Sequence, residues 1–242
     1  MNQLKFLPHR FLNKLYQTNF SIYRPLYFLY KYLSDYPKIR YIRSCIKPGM
    51  TAVDIGANIG FYTLELSHLV GATGQIHAFE PDPLNYKYLS NVTNCTFNVK
   101  INKLAVSRNS KYLKLYKSDQ LNIDHRTYKT DKNRHSISIK AVSLDKYFRS
   151  QPVDFIKIDV QGYDYQALLG AKKILKRNHP LTILGEFFPF GLIKAGSSSK
   201  EYIEFLHGLG FKIKFLSTKS KKFLYQKHPN PNFYCDFIAT KP

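Results

Sequence analysis

From about residue 47 onward, short apolar runs alternate with stretches whose apolar residues recur at helical spacing. The runs are rich in Ile, Val and Phe and predict strands over 51–56, 75–80, 97–106, 111–117, 136–142, 153–160, 181–187, 212–218 and 234–240. The helical period predicts helices over 59–70, 83–91, 163–177 and 200–209. Strands alternating with helices imply a largely parallel sheet covered by helices. The last two strands, joined by a short loop rich in Pro and Asn, predict an antiparallel hairpin at the sheet edge.

Residues 1–48 follow a different pattern from 49–242. Lys5, Arg10, Lys14, Arg24, Lys31, Lys38, Arg40 and Arg43 alternate with Phe6, Phe11, Tyr16, Phe20, Tyr23, Tyr27, Phe28, Tyr30 and Tyr32, and Asp35 is the only acid. Pro25 and Pro37 divide the segment into short helical pieces. One reading is an interfacial anchor, because basic amphipathic segments with aromatic faces lie on anionic bilayers. The other is a helical cap that packs its aromatics on the main domain and roofs the site. The cations are scattered rather than confined to one face, which favours the cap.

The chain has 242 residues and a mass of 28.2 kDa, enough for one α/β domain with an extension. Its net charge of +21 favours an anionic partner: nucleic acid, phospholipid or an anionic glycan. Charge alone does not choose among them. Cys45, Cys95 and Cys235 are odd in number, widely spaced and outside any metal-binding pattern, which fits a reducing compartment. No apolar run approaches the roughly 20 residues of a spanning helix. Lys5, His9, Arg10 and Lys14 interrupt the apolar start where a secretory signal would need a clean run. The expectation is a cytoplasmic protein, with the inner face of a membrane as the peripheral alternative.

Three motifs carry the candidate chemistry. The first follows the run Thr51-Ala52-Val53 and reads Asp54-Ile55-Gly56-Ala57-Asn58-Ile59-Gly60-Phe61-Tyr62-Thr63. A strand ends there in an acidic, glycine-punctuated turn that opens a helix, which is where α/β proteins lay nucleoside-containing ligands. Gly56 and Gly60 permit close backbone approach and positive φ. The spacing is not the G-x-G-x-x-G that wraps a pyrophosphate. S-adenosyl-L-methionine therefore fits better than a dinucleotide, with Asp54, Gly56, Asn58, Gly60, Phe61 and Thr63 as candidate contacts. The second motif ends the next strand in Phe79-Glu80-Pro81. A carboxylate lying roughly twenty residues beyond the glycine loop suits the two hydroxyls of a ribose. The third, Phe155-Ile156-Lys157-Ile158-Asp159-Val160-Gln161-Gly162-Tyr163-Asp164, puts Lys157 and Asp159 on one strand face at its carboxyl end.

In their order and spacing these motifs resemble the FkbM family of S-adenosylmethionine-dependent methyltransferases, over roughly residues 47–242. The resemblance implies a Rossmann-like class I methyltransferase fold with a mostly parallel seven-stranded sheet and an antiparallel C-terminal hairpin. It also implies O-methylation of a hydroxyl on a sugar or polyketide, and lays Asn102 to Ala105 along the adenine. Two positions depart, Gln161 and Asp164, and the second keeps a shorter carboxylate. The family commonly reads Asp-Val-Glu-Gly-x-Glu where this chain has Asp159-Val160-Gln161-Gly162-Tyr163-Asp164. Gln161 removes a charge and cannot serve as a base.

Methyl transfer is an in-line displacement that depends mainly on alignment. An alcohol acceptor also gains from a positioned base. Asp159 is the first candidate, as base or as the group orienting the hydroxyl, and with Pro81 it is also a candidate cofactor contact. Lys157 is the second; it serves as a base only if burial depresses its pKa, and the alternative is an ion pair with a neighbouring carboxylate. Glu186 would bind substrate or join Asp159 around a divalent cation such as Mg²⁺, although a metal is not expected to be required. The polar stretch Ser118 to Arg134, with His125 inside it and His135 just after it, reads equally as a substrate lid or a solvated linker. Phe187-Phe188-Pro189-Phe190-Gly191-Leu192 reads as core or as an apolar pocket wall. The acceptor expected is a hydroxyl-bearing small molecule or glycan, with anionic character allowed by the charge. The alternatives are an RNA ribose 2′-O-methyltransferase and a non-catalytic, membrane-associated S-adenosylmethionine-binding protein.

Overall fold

The computed structural model describes residues 7–118, 125–129, 134–216 and 229–242, with side chains from residue 13 onward. Three helices come first: α1 (Leu7–Thr18), α2 (Phe20–Ser34) and α3 (Tyr36–Cys45). Then follow β1 (Thr51–Ile55), α4 (Phe61–Val70), β2 (Gln75–Phe79), α5 (Pro83–Thr93), β3 (Val99–Asn102), β4 (Ala105–Val106), β5 (Tyr112–Tyr116) and β6 (Ser136–Val142). The chain continues through α6 (Leu144–Phe148), β7 (Phe155–Ile158), α7 (Asp164–Leu169), α8 (Lys172–Arg177), β8 (Leu181–Phe187), α9 (Pro189–Lys194), α10 (Ser199–Gly208), β9 (Lys212–Phe215) and β10 (Cys235–Lys241).

Seven strands form one sheet in the order β3-β2-β1-β7-β8-β10-β9, and β4-β6-β5 form a smaller one. The strands from β3 to β8 are parallel, whereas β10 runs antiparallel to both β8 and β9. This is the Rossmann-like class I arrangement that the sequence implies. The strand order reverses between β1 and β7. In an open α/β sheet, the crevice at such a reversal, beyond the carboxyl ends of the strands, is where ligands bind. β1 and β7 are apolar runs buried on both faces, as central parallel strands must be. Their polar exceptions, Asp54 and Lys157, pair with each other.

The N-terminal helices pack on the domain with their aromatics. Tyr16 and Tyr23 form a cluster with Ile59 and Tyr88. Phe20 stacks on Tyr88, and the Tyr16 hydroxyl donates to Asn85 Oδ1 at 2.5 Å. Ile42 of α3 and Ile46, which follows it, join Leu66, Ile76 and Leu184. Pro25 does not break this region, because α2 runs through it. The helix accommodates Pro25 within its second turn, giving up one ladder N–H and crowding the carbonyl one turn back. The breaks fall at Asn19, whose side chain accepts from Ile22 N, and at Asp35.

Other boundaries differ from the sequence reading for local reasons. The single strand expected over 97–106 is two, because β3 belongs to the large sheet and β4 pairs with β6 in the small one. The helix expected over 163–177 breaks at Gly170, where the chain lies so close to the Ser107 carbonyl that no Cβ fits. The short helices α6 and α9 are too brief to show a period. Between β9 and β10 lies a connection over 216–234, longer than the short loop expected, and 217–228 of it lie outside the described residues.

Gly162 and Gly191 hold two loops in backbone contact. A Cβ on Gly162 would sit 2.5 Å from Gly191 Cα, and Gly162 has φ +92°. Gly196 has φ +78° but open space around it. Gly196→Ala should therefore cost only the left-handed strain, about 1–2 kcal/mol. Gly162→Ala should cost at least about twice as much, because it adds a clash with backbone that cannot swing aside. Urea denaturation of the two variants checks this, and equal losses would show that the contact at Gly162 is not tight.

Candidate active site

The site is built from the loops that leave β1, β2, β7 and β8. After β1 the backbone takes positive φ at Gly56, Asn58 and Gly60. A Cβ on Gly56 would collide with the Asp159 carbonyl, so the first and third motifs meet there in backbone contact. The N–H groups of Gly56 and Ala57 both donate to Phe79 O at 3.0 Å, tying the loop to the end of β2.

Beneath the loop lies a buried polar knot. Asp54 is fully buried; its Oδ2 accepts from Thr63 Oγ1 at 2.7 Å and its Oδ1 lies 3.1 Å from Lys157 Nζ. Lys157 Nζ also donates to Gly56 O at 2.8 Å. Burial works against the Lys157 charge, but Asp54 and Asp159 outweigh it and the pKa is raised. Of the two readings of Lys157, this geometry favours the ion pair over the base, since an ammonium paired with Asp54 has no lone pair to offer.

Above the knot, a cavity of about 650 Å³ opens at the β1/β7 crevice. Gly56, Asn58, Phe61, Glu80, Pro81, Ala105, Lys157, Asp159 and Glu186 all line it. Asp54, Gly60, Thr63 and Asn102 do not. Asp54 and Thr63 are in the knot, and Gly60 faces Leu89, which lies 2.9 Å from where a Cβ would be. The Asn102 amide donates to Ala78 O and Lys100 O, and its carbonyl accepts from the Tyr147 hydroxyl. Asn102 thus supports the wall that carries Leu104 and Ala105.

The two ends of the cavity differ in chemistry. At one end, Glu80 Oε2 accepts from Asn58 N at 2.8 Å and Oε1 accepts from Asp82 N at 2.9 Å. Burial pushes the Glu80 carboxyl up to about 7, although these N–H donors act the other way. Phe79, Leu104, Ala105 and Val106 form an apolar wall beside it. At the other end, Gln161 Nε2 lies between two carboxylates, 3.2 Å from Asp159 Oδ1 and 3.4 Å from Glu186 Oε2. Gln161 has φ +55°, and its carbonyl accepts from the Tyr128 hydroxyl. The Glu186 pKa is raised well above the ordinary range by burial and by the nearby charges of Asp159 and Asp164.

The roof comes from the N-terminal helices. Tyr27, Tyr30, Lys31, Ser34, Asp35 and Lys38 line the cavity, and so do Tyr234 and Asp236 from the chain's end. Lys38 pairs with Asp35 at 3.3 Å and with Asp236 at 3.2 Å, joining roof to sheet. The Tyr62 hydroxyl donates to Asp35 Oδ2 at 2.7 Å. Burial opposes the Asp35 charge, but Lys31 and Lys38 outweigh it and bring the pKa down to about 2. Sequence reasoning assigned no role to Asp35, Lys38, Asp236 or Tyr62. The one available signal was Asp35 itself, a lone acid among cations.

Part of the polar stretch 118–134 lies outside the described residues, but His125, Arg126 and Thr127 line the cavity. Lys117 Nζ lies 2.9 Å from Asp82 Oδ2, beside Glu80. Phe187 is core, Phe188 lines the cavity, and α9 begins at Pro189. Among the described residues no group of three or more His, Cys, Asp or Glu is placed to hold a metal ion.

This geometry agrees with what the chain is similar to. A structure of the methyltransferase FkbM from Methylobacillus flagellatus superposes with a TM-score of 0.51 at 16% identity, covering 98% of this chain and 59% of that one. An S-adenosylmethionine-dependent O-methyltransferase from Thermotoga maritima gives 0.51 at 14% identity, covering 85% and 64%. An rRNA methylase from Streptococcus thermophilus gives 0.51 at 13%, covering 84% and 93%. At these identities the likeness is one of fold. No curated protein sequence matches the chain. Residues 54–213, more than half of the chain, match the sequence profile of the methyltransferase FkbM domain. The chain belongs to the FkbM methyltransferase family.

Proposed function

We propose that this protein transfers a methyl group from S-adenosylmethionine to a hydroxyl of a saccharide or glycan. The observation that carries the proposal is the two-ended cavity: a buried carboxylate beside an apolar wall at one end, and two amide-bridged carboxylates at the other. When bound, S-adenosylmethionine supplies a methyl group made electrophilic by a sulfonium.

The residues fit that donor. The Glu80 carboxylate accepts from the N–H groups of Asn58 and Asp82 and is hydrogen-bonded by the Asn85 side chain, which orients it at the nucleoside end of the cavity, where a ribose hydroxyl takes a remaining acceptor site. Phe79, Leu104, Ala105 and Val106 suit a flat base. At the far end, Glu186 accepts the proton of the acceptor hydroxyl and Asp159 orients that hydroxyl. The raised pKa of Glu186 makes it the stronger base once ionised. The amide of Gln161 keeps the two carboxylates apart without adding a third charge. Tyr30, Asn232 and Tyr234 add polar groups to the wall, as a polyol requires.

An RNA acceptor is the second reading, supported by the net charge and by the fold shared with an rRNA methylase. The reacting end holds Asp159 and Glu186 bridged by a neutral amide, and Lys31, Lys38, Arg126 and Lys157 line the same cavity, so its charge does not choose between the two acceptors. Labelled S-adenosylmethionine offered with glycans, nucleotide sugars and RNA separates the two. Label on a sugar hydroxyl supports the proposal, and label confined to RNA ribose replaces it.

Glu80→Gln should weaken S-adenosylmethionine binding by about 1–3 kcal/mol in calorimetry, because one charged acceptor for the ribose is lost. Unchanged affinity in the folded variant would remove Glu80 from the ribose site.

Turnover should also depend on pH in a direction set by Glu186. A carboxyl must be ionised to take a proton, so a raised pKa moves the active range upward, and rate should fall as pH falls through that titration. Glu186→Gln should lower turnover at least about a hundredfold and abolish this limb. Asp159→Asn should lower turnover but leave the limb in place. A Glu186→Gln enzyme with the full pH profile would assign the base elsewhere.

A further inference from the structure

We infer that the outer face of α2 docks this protein on an anionic lipid bilayer. One side of α2 is occupied: Tyr23 is buried, and Tyr27 and Phe28 pack beside it. Among the described residues the other side is not. Ile22, Leu26, Leu29 and Leu33 are 50%, 46%, 58% and 67% exposed. Their steps of four, three and four residues put them in one line along the helix. Tyr30 and Tyr36, 56% and 51% exposed, widen the stripe. Single exposed leucines are ordinary, but four in register with no charge among them form a contiguous apolar face.

Charge identifies the occupant. The exposed side of α3 and its continuation carry Arg40 and Lys47, and also Arg43, whose charge is paired with Glu65 at 2.6 Å. The Arg43 guanidinium lies 5.6 Å from the ring centre of Tyr32, which flanks the stripe on α2, so the basic surface adjoins the apolar one. An apolar stripe bordered by tyrosines and cations is the pattern of a helix that lies in the headgroup region. A second copy of this chain is the poorer occupant, because two molecules of net charge +21 repel each other. No helix among the described residues is long and apolar enough to cross a membrane, so the contact is peripheral in kind for this region. Tyr30 lies both on the stripe and on the cavity wall, so docking brings the cavity's rim to the lipid surface.

The test is sedimentation of the full chain with vesicles of phosphatidylcholine alone and of phosphatidylcholine mixed with phosphatidylglycerol. Binding is expected to the mixed vesicles and to weaken as salt rises, because surface attraction is screened within about 8–10 Å. Leu26→Asp with Leu33→Asp should cut that binding at least about tenfold by removing apolar insertion. Both side chains are exposed, so the melting temperature should stay unchanged. Arg40→Glu with Lys47→Glu should weaken binding and flatten its salt dependence. The inference is overturned if the wild type ignores the mixed vesicles, or if the leucine variants bind them as well as the wild type. It is equally overturned if ultracentrifugation shows a dimer that the leucine variants dissociate.

Discussion

The buried ion pair between Asp54 and Lys157 joins the two central strands of the sheet, and the site is assembled around it. Asp54 also anchors Thr63 at the start of α4, and Lys157 also holds the Gly56 carbonyl. The loop after β1 is therefore fixed from below by side chains of β1, α4 and β7. A buried pair of this kind adds little net stability over an apolar pair, but loss of one partner leaves an uncompensated charge at a cost of about 3–5 kcal/mol. Its use here is positional. With Gly56 against the Asp159 carbonyl, the knot sets how close the nucleoside end lies to the reacting end.

Much of this was legible in the sequence, and the reasons are physical. Central parallel strands are buried on both faces, so β1, β2, β7 and β8 appear as apolar runs, and their polar residues stand out as exceptions. That is why Asp54, Glu80, Lys157 and Asp159 were visible one motif at a time. What a linear pattern lacks is the partner of each exception. Lys157 was readable as a base or as half of an ion pair, and only the position of Asp54 across the sheet decides. The role of Gln161 was hidden for the same reason, since Glu186 reaches it from another strand. Asp236 and Lys38 meet across nearly the whole chain, where no local spacing can show it. The short helices α6 and α9 fall below the length at which a period registers.

The departure at Gln161 becomes intelligible in this setting. A glutamate there would put a third carboxylate between Asp159 and Glu186, in a place where burial already raises the pKa of Glu186. The amide donates instead, so the chain keeps two carboxylates close together with one bridge between them. The N-terminal helices complete the chamber by a separate ionic link, Lys38 to Asp236, and by an aromatic cluster against α5. The same segment that closes the cavity also leaves an apolar face outside, so the two uses of its aromatic and aliphatic residues do not compete.

The most direct measurement is a crystal structure of the protein with S-adenosylhomocysteine. The account predicts the ribose hydroxyls on Glu80, the adenine against Leu104 and Ala105, and the sulfur directed toward Asp159 and Glu186. A nucleoside seated instead at the Lys38 and Asp236 end, with Glu80 untouched, would contradict it.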